Sequence, residues 1–184
     1  MNRGAPGSMD RRIASGIFLL ALILRIAYLV DLRDYELLDR LHLDPKAYDD
    51  KAVAILEGGS SAPGRPFYQA PLYPYFLATI YGVAGRDYDA VRVIQVFLGG
   101  GTVLFVAGAG ALLFGPAAGA IAGLLAALYA PFPFYEAQIM KTGPGVFFLV
   151  AGVFILLRSR GGRGGPSSVE RSSASRRSSG RTPC

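Results

Sequence analysis

The sequence contains one cysteine, one histidine and no tryptophan. The cysteine, Cys184, is the last residue, so no disulfide can form within the chain and cysteine usage indicates no redox compartment. A prenylation box would need its cysteine four residues from the end, so Cys184 predicts no lipid anchor either. The histidine, His42, has no cysteine or second histidine near it, which argues against a zinc site and favours an ordinary loop position. We expect no metal and no other cofactor.

Charged residues are also scarce. They make up 17% of the 184 residues, hydrophobic residues make up 52%, and the run from 93 to 135 carries no charge. Such long uncharged runs indicate an integral membrane protein rather than a soluble domain. The charges that do occur are segregated along the chain. Segment 31–89 holds ten acids against six bases, whereas the tail from Arg158 holds seven arginines and one glutamate.

The apolar runs predict an all-α, multi-pass membrane protein with about four spans. The membrane domain is residues 13–157, and its expected spans are 13–30, 91–114, 117–134 and 143–157. A cleaved signal peptide is the alternative for the first run. That run has 18 residues, however, whereas the apolar h-region of a signal peptide has roughly 7–15, and no small-residue cleavage site follows it.

Glycine recurs every four residues at Gly115, Gly119 and Gly123. This spacing is typical of membrane helices that approach each other closely. Gly99-Gly-Gly101 lies inside an apolar helix and follows no strand, so a phosphate-binding loop is not indicated there.

The outer loop, residues 31–90, is expected to contain two interfacial helices. The first begins with Asp44 as its N-cap and Pro45 at its first position, and it runs to Glu57 with a glycine just beyond. The second, Leu72–Val83, would span about 18 Å against a hydrocarbon core of roughly 30 Å, so it is too short to cross.

Charge also predicts the topology. Four spans place both termini on the same face, and the arginines of segment 1–12 and of the tail favour the cytoplasm. The loop 31–90 and the polar stretch 136–142 then face outward across a plasma (inner) membrane. The tail, 158–184, is rich in Arg, Ser and Gly and is expected to be disordered. It has no aromatic residue for base stacking, so we expect no nucleic-acid partner.

Several motifs follow one another in a distinctive order. They are Leu24-Arg-Ile-Ala-Tyr28, Asp44-x3-Tyr48-x3-Ala52, Tyr68-Gln-Ala-Pro-Leu-Tyr-Pro74, a hairpin of Gly/Ala-rich spans, and Phe134-Tyr-Glu-Ala-Gln-Ile-Met-Lys141. Over residues 13–157 the chain resembles the N-terminal part of the C-fold membrane glycosyltransferases, which include protein mannosyltransferases and aminoarabinose transferases of lipid A. The resemblance implies transfer of a sugar from a polyprenyl-phosphate donor to an acceptor hydroxyl on the outer face. The implied partners are the lipid-linked donor and membrane lipids.

The resemblance also implies a catalytic residue. Asp44 matches the acid of the family's first outer loop, where a carboxylate orients or deprotonates the acceptor hydroxyl. Several members carry Asp-Glu, but Pro45 here leaves a single carboxylate. N-capping alone also explains Asp44. The nearby Asp49 and Asp50 are interpreted as a solvated face of the helix.

A cation or donors must stabilise the departing lipid phosphate. Lys141 is the first candidate, with Glu136 five residues before it, and an interfacial snorkelling lysine is the alternative. Arg25 lies inside a span, where arginine is costly and usually paired. Pairing with Asp31, or snorkelling, is expected there, ahead of substrate contact. Gln69 stands where related proteins can carry a lysine, so no phosphate-binding role is expected there.

Tyr48 and Tyr73 are weaker candidates for substrate binding. Aromatic rings line sugar and isoprenoid sites, but Tyr68, Tyr73, Tyr75 and Tyr81 also fit an aromatic belt at the membrane interface.

A second class of function stays open. The chain could be a small non-enzymatic membrane protein that binds lipid or assembles with other helices. Family members continue through many more spans, whereas this sequence turns into the Arg/Ser tail after about residue 157. A truncated or frame-shifted, inactive fragment is therefore one interpretation. The sugar, the acceptor and the oligomeric state are not indicated.

Overall fold

The computed structural model describes residues 9–32, 44–59 and 71–161, and every regular element in these ranges is an α-helix. The seven helices are α1 (Arg11–Leu32), α2 (Asp44–Leu56), α3 (Leu72–Ala84), α4 (Tyr88–Phe114), α5 (Pro116–Leu128), α6 (Pro131–Ala137) and α7 (Thr142–Gly161). The predicted all-α class is confirmed. The predictions for His42, Tyr68, Gln69 and most of the tail concern residues outside the described ranges.

Three helices, α1, α4 and α7, are long and apolar enough to cross a membrane. The expected span 117–134 is wrong as a single helix, because α5 and α6 are separate and bent by 51°. Tyr129 leaves the helical region (φ −74°, ψ 97°), and Pro131, at the start of α6, has no N–H to continue the α5 hydrogen-bond ladder. The pair makes a fourth crossing only if it is one broken span.

Two helix ends differ from the expected bounds. α4 begins earlier, at Tyr88, because the Asp87 side chain accepts hydrogen bonds from the backbone N–H groups of Asp89 (2.8 Å) and Ala90 (3.4 Å). These bonds satisfy donors that the first turn leaves without helical partners. α7 runs on to Gly161, so it includes Arg158, which the sequence assigned to the tail.

The two helices predicted in the outer loop are confirmed as helices. α3 begins at Leu72, as the apolar run predicts, whereas α2 begins at Asp44, one residue before the predicted start at Pro45. Each ends before a glycine of positive φ, Gly58 and Gly85, both at +79°. Glycine adopts this left-handed conformation without steric cost, which makes it the usual residue just past a helix end.

The remaining five helices form a bundle in which α4 packs against α1, α5 and α7. The predicted packing role of Gly119 and Gly123 is confirmed. A Cβ at Gly119 would lie 2.6 Å from the carbonyl oxygen of Ala107, and one at Gly123 would lie 2.8 Å from the Ala107 Cβ. Gly115 instead forms the turn between α4 and α5, with φ +95°.

The contacts of the bundle also set the helix directions. α7 is parallel to α4, because Phe147 lies against Gly101 and Phe154 against Gly108. α1 is antiparallel to α4. Its Arg25 reaches Gly99 of α4 through Glu136, whereas the earlier Ile17 lies beside Gly123, which contacts Ala107 further along α4. The basic start of α1 and the basic end of α7 therefore lie at one end of the bundle. The α2–α3 pair lies at the other.

Candidate functional site

The α2–α3 pair has a small core of its own, and two candidate residues lie in it. Tyr48 and Tyr73 meet edge to face, with ring centroids 5.0 Å apart and planes at 85°. Both are buried, together with Ala52, Leu77 and Tyr81. The Tyr73 hydroxyl donates to Gln95 Oε1 of α4 at 3.0 Å, so it ties the pair to the bundle. The expected interface belt is therefore wrong for Tyr73 and Tyr81, which face inward.

Asp44 opens α2 with its side chain exposed. It lies one helical turn before Tyr48, and residues four apart share one face of a helix. Asp44 is therefore next to the tyrosine pair along α2, yet accessible from outside.

Asp49 is buried, with 1% of its surface exposed. Its carboxylate accepts hydrogen bonds from Tyr81 Oη (2.9 Å) and Tyr88 Oη (3.3 Å), and it forms an ion pair with the guanidinium of Arg86. The interpretation of Asp49 as part of a solvated face is wrong, because this side of α2 packs on α3. For Asp50 it holds, since that side chain is exposed and pairs with Lys46 at 2.7 Å.

The four residues Asp49, Tyr81, Arg86 and Tyr88, here called the Asp49 cluster, join α2 to both ends of the α3–α4 turn. Burial, and then the hydrogen bond to Asp49, raise the pKa of the Tyr81 phenol above its ordinary value. The hydrogen bond to Asp49 is likewise the main reason that the pKa of Arg86 is raised. At neutral pH Arg86 therefore stays positively charged, and Tyr81 keeps the hydroxyl proton that it donates to Asp49.

Arg25 makes a buried ion pair with Glu136. Its Nε lies 2.7 Å from Oε2 and its Nη2 lies 3.3 Å from Oε1, while Nη1 donates to the Ala21 carbonyl at 3.2 Å. Arg25 is 0% and Glu136 4% exposed. The expected partner Asp31 is exposed, so pairing with Asp31 and snorkelling are both wrong. A buried arginine needs a carboxylate at its own depth, and the last turn of α6 provides one.

Gly99 makes room for this pair. The Glu136 carboxylate lies on the α4 backbone at Gly99, where any Cβ would overlap it. α4 therefore leaves space for the carboxylate at Gly99, and the positive charge that pairs with the carboxylate comes from Arg25 of α1.

The carbonyl groups at the end of α6 are bound by two α4 side chains that the sequence analysis missed. Gln95 Nε2 donates to the carbonyls of Glu136 (2.8 Å) and Gln138 (3.0 Å), and Arg92 Nε donates to that of Ala137 (3.3 Å). The sequence signals were Arg92 and Gln95, two polar side chains at the start of a predicted apolar span, where each is costly unless it is hydrogen-bonded. Among the described residues, no buried side-chain N or O lacks a partner.

Lys141 is exposed and lies on the rim of a groove of about 380 Å³ between α3 and α7. The apolar walls of this α3–α7 groove are Leu72, Tyr73, Phe76, Pro144, Phe148 and Leu149. A smaller cavity of about 180 Å³ borders Glu136 and shares Thr142 and Val146 with the groove. An apolar groove with one ammonium at its edge suits an amphiphile that has an anionic head group.

The structure thus brings Tyr73 and Lys141 to one groove, places Tyr48 against Tyr73, and joins Arg25 to Glu136. Within the described ranges, no three His, Cys, Asp or Glu side chains are placed to hold a metal ion. No protein-family model, curated protein or solved structure matches this chain.

Proposed function

We propose that this chain is a glycosyltransferase, or the front part of one, that transfers a sugar from a polyprenyl-phosphate donor to an acceptor hydroxyl. The observation that carries the proposal is the shared groove. Lys141 and Tyr73 both border it, Tyr73 packs on Tyr48, and Asp44 lies one turn before Tyr48. A cation and an aromatic ring therefore share one groove, and Asp44 is connected to it through the buried contact between Tyr48 and Tyr73.

The lipid part of the donor fits the walls of the groove. The isoprenoid chain would lie against Phe76, Phe148 and Leu149, which line it between α3 and α7. Its phosphate would lie at the rim beside the Lys141 ammonium. A cation there stabilises the charge that develops on the phosphate as the sugar leaves.

Asp44 would act on the acceptor. As the acceptor oxygen bonds to the anomeric carbon, its proton passes to the Asp44 carboxylate. The bond from the anomeric carbon to the phosphate oxygen breaks, and the electron pair leaves with the polyprenyl phosphate. The products are the glycosylated acceptor and the free lipid phosphate, and the proton returns from Asp44 to water.

We propose further that the site faces outward from an inner membrane, with both chain termini in the cytoplasm. The basic end of α7 supports this orientation, since Arg158 and Arg160 lie at the bundle end opposite α2 and α3. Positively charged segments are retained on the cytoplasmic side.

The first test is binding of radiolabelled undecaprenyl phosphate to the full chain in nanodiscs. Lys141→Ala should weaken binding about tenfold, because a hydrogen bond between an ammonium and a phosphate contributes about 1.5 kcal/mol. Lys46→Ala removes an exposed lysine outside the groove and is the matched control. Undecaprenol, which lacks the phosphate, should compete weakly. Equal binding by wild type and Lys141→Ala would show that Lys141 does not bind the phosphate.

The second test concerns Asp44. Asn caps a helix about as well as Asp, so Asp44→Asn should fold normally yet lose transfer from polyprenyl-phosphate mannose or aminoarabinose by about 10²–10⁴-fold. Asp44→Ala should in addition lose about 1 kcal/mol of stability. Wild-type transfer in Asp44→Asn would exclude the residue as the base. Undecaprenyl phosphate binding without any transfer in wild type would favour the non-enzymatic, lipid-binding alternative.

A further inference from the structure

We propose that Arg25, Glu136 and Gln95 are positioning residues that hold the Lys141 ammonium at the rim of the α3–α7 groove. The inference rests on the proposed function, because it assigns a task to the lysine of that site. None of the three residues needs to touch the substrate. They act through the backbone that leads from α6 to Lys141.

The first step is the anchor in the bundle. Glu136 is fixed by a two-pronged bond to the Arg25 guanidinium and by the bare backbone of Gly99 beneath it. A two-pronged bond between a guanidinium and a carboxylate has a preferred planar geometry, so it restrains orientation as well as distance. The last turn of α6 is thereby held against α1 and α4.

The second step is the backbone itself. The carbonyls of residues 136, 137 and 138 all accept hydrogen bonds from α4 side chains, two of them from the single amide of Gln95. From there the chain is short and tightly turned, with the Met140 N–H bonded to the Gln138 carbonyl at 2.9 Å. The Lys141 carbonyl then accepts from Gly145 N–H at 2.9 Å, within the first turn of α7.

The third step is the direction of the side chains along this connection. Glu136 points into the bundle, and Ile139, 1% exposed, belongs to the core of the α2–α3 pair. Lys141 remains outside, on the groove. Glu136 is fixed in the bundle and Ile139 in the core of the α2–α3 pair. The backbone between them therefore has little freedom to rotate, and this restricts where Lys141 lies.

A spin label tests the positioning without any lipid ligand. In a chain whose native cysteine is replaced by serine, Lys141→Cys carries a nitroxide, and its mobility is read by EPR in nanodiscs. Glu136→Gln removes the charge that holds the guanidinium fork and should increase the mobility at position 141. Arg25→Lys keeps the charge but not the fork, so it should give a smaller increase. Asp50→Asn, in an exposed pair, should give none. Unchanged mobility in Glu136→Gln and Arg25→Lys would overturn the inference.

A double-mutant cycle separates positioning from general stability. Glu136→Gln should weaken undecaprenyl phosphate binding by about 2- to 30-fold, the range for mutations that act on a distant site through a network of contacts. In a Lys141→Ala background the same change should cost nothing further, because the group that it positions is absent. An equal loss in both backgrounds would show a merely structural role and refute the inference. If Glu136→Gln does not fold, Arg25→Lys is measured instead, in the wild-type and the Lys141→Ala backgrounds.

The two failures are distinguishable. If Lys141→Ala binds undecaprenyl phosphate as well as wild type does, Lys141 is not the cation that binds the donor phosphate, and that part of the proposed function is refuted. The nitroxide measurement would still decide whether Glu136 and Arg25 hold position 141.

Discussion

The most informative single substitution is Asp49→Ala, because Asp49 is a buried carboxylate that the sequence placed on a solvated face. The change removes the acceptor of the Tyr81 hydroxyl, 2.9 Å away, and the partner of Arg86. A buried donor left without an acceptor costs about 1–3 kcal/mol. The Arg86 side chain is 54% exposed, so its ion pair is screened like a surface pair and adds at most about 1 kcal/mol.

We therefore expect Asp49→Ala to weaken the attachment of α2 to α3 by about 2–3 kcal/mol, which is roughly a 30- to 150-fold change in the local opening equilibrium. Hydrogen exchange of the α2 amides in nanodiscs measures this opening directly. Asp49→Asn keeps an acceptor for Tyr81 and loses mainly the ion pair, so it should change exchange only about 5-fold, for about 1 kcal/mol.

The matched control is the next residue. Asp50→Ala breaks an exposed i,i+4 pair with Lys46, worth about 0.3–0.5 kcal/mol, so exchange should about double. If Asp49→Ala and Asp50→Ala accelerate α2 exchange equally, the Asp49 cluster does not hold α2 in place. The reasoning from burial would then be refuted.

Two further predictions concern the bundle. Single cysteines at Glu57 and Ser159, in a chain lacking its native cysteine, should react differently with an impermeant thiol reagent in intact cells, and labelling of both from outside would contradict the proposed topology. Gly119→Ala places a Cβ 2.6 Å from a carbonyl oxygen of α4 and should lower the free energy of unfolding in detergent by about 1–3 kcal/mol. Gly152→Ala meets nothing within 4 Å and should be neutral or stabilise by up to about 1 kcal/mol. Equal melting temperatures for the two would argue against close α4–α5 packing.

Local signals predicted the local structure well. α2 and α3 follow from Pro45, an apolar run and a glycine beyond each end, all of which act within a few residues. The break between α5 and α6 was also encoded locally, in Ala130-Pro131-Phe-Pro133. It was missed because the uncharged run continued through it, and hydropathy does not register the loss of a backbone donor.

The candidate site could be predicted only where its contacts are local. Tyr48 and Tyr73 were singled out as aromatic residues, but their contact depends on how α2 packs on α3. The partner of Arg25 lies 111 residues away, and Asp31 was favoured only because it is near in sequence. Gln95 gave a weak signal, since one amide in an apolar span indicates that a partner exists without indicating which.

The separation of Arg25 and Glu136 also constrains how the protein is made. Synthesis proceeds from the N-terminus, so α1 enters the membrane while its partner, 111 residues later, has not yet been translated. At about 5–20 residues per second, that interval lasts roughly 6–20 s. A lone guanidinium is costly in hydrocarbon, so during this interval α1 must either hold Arg25 at a water-exposed boundary or remain with the insertion machinery. Arg25 therefore acquires its buried partner only after α6 has been synthesised.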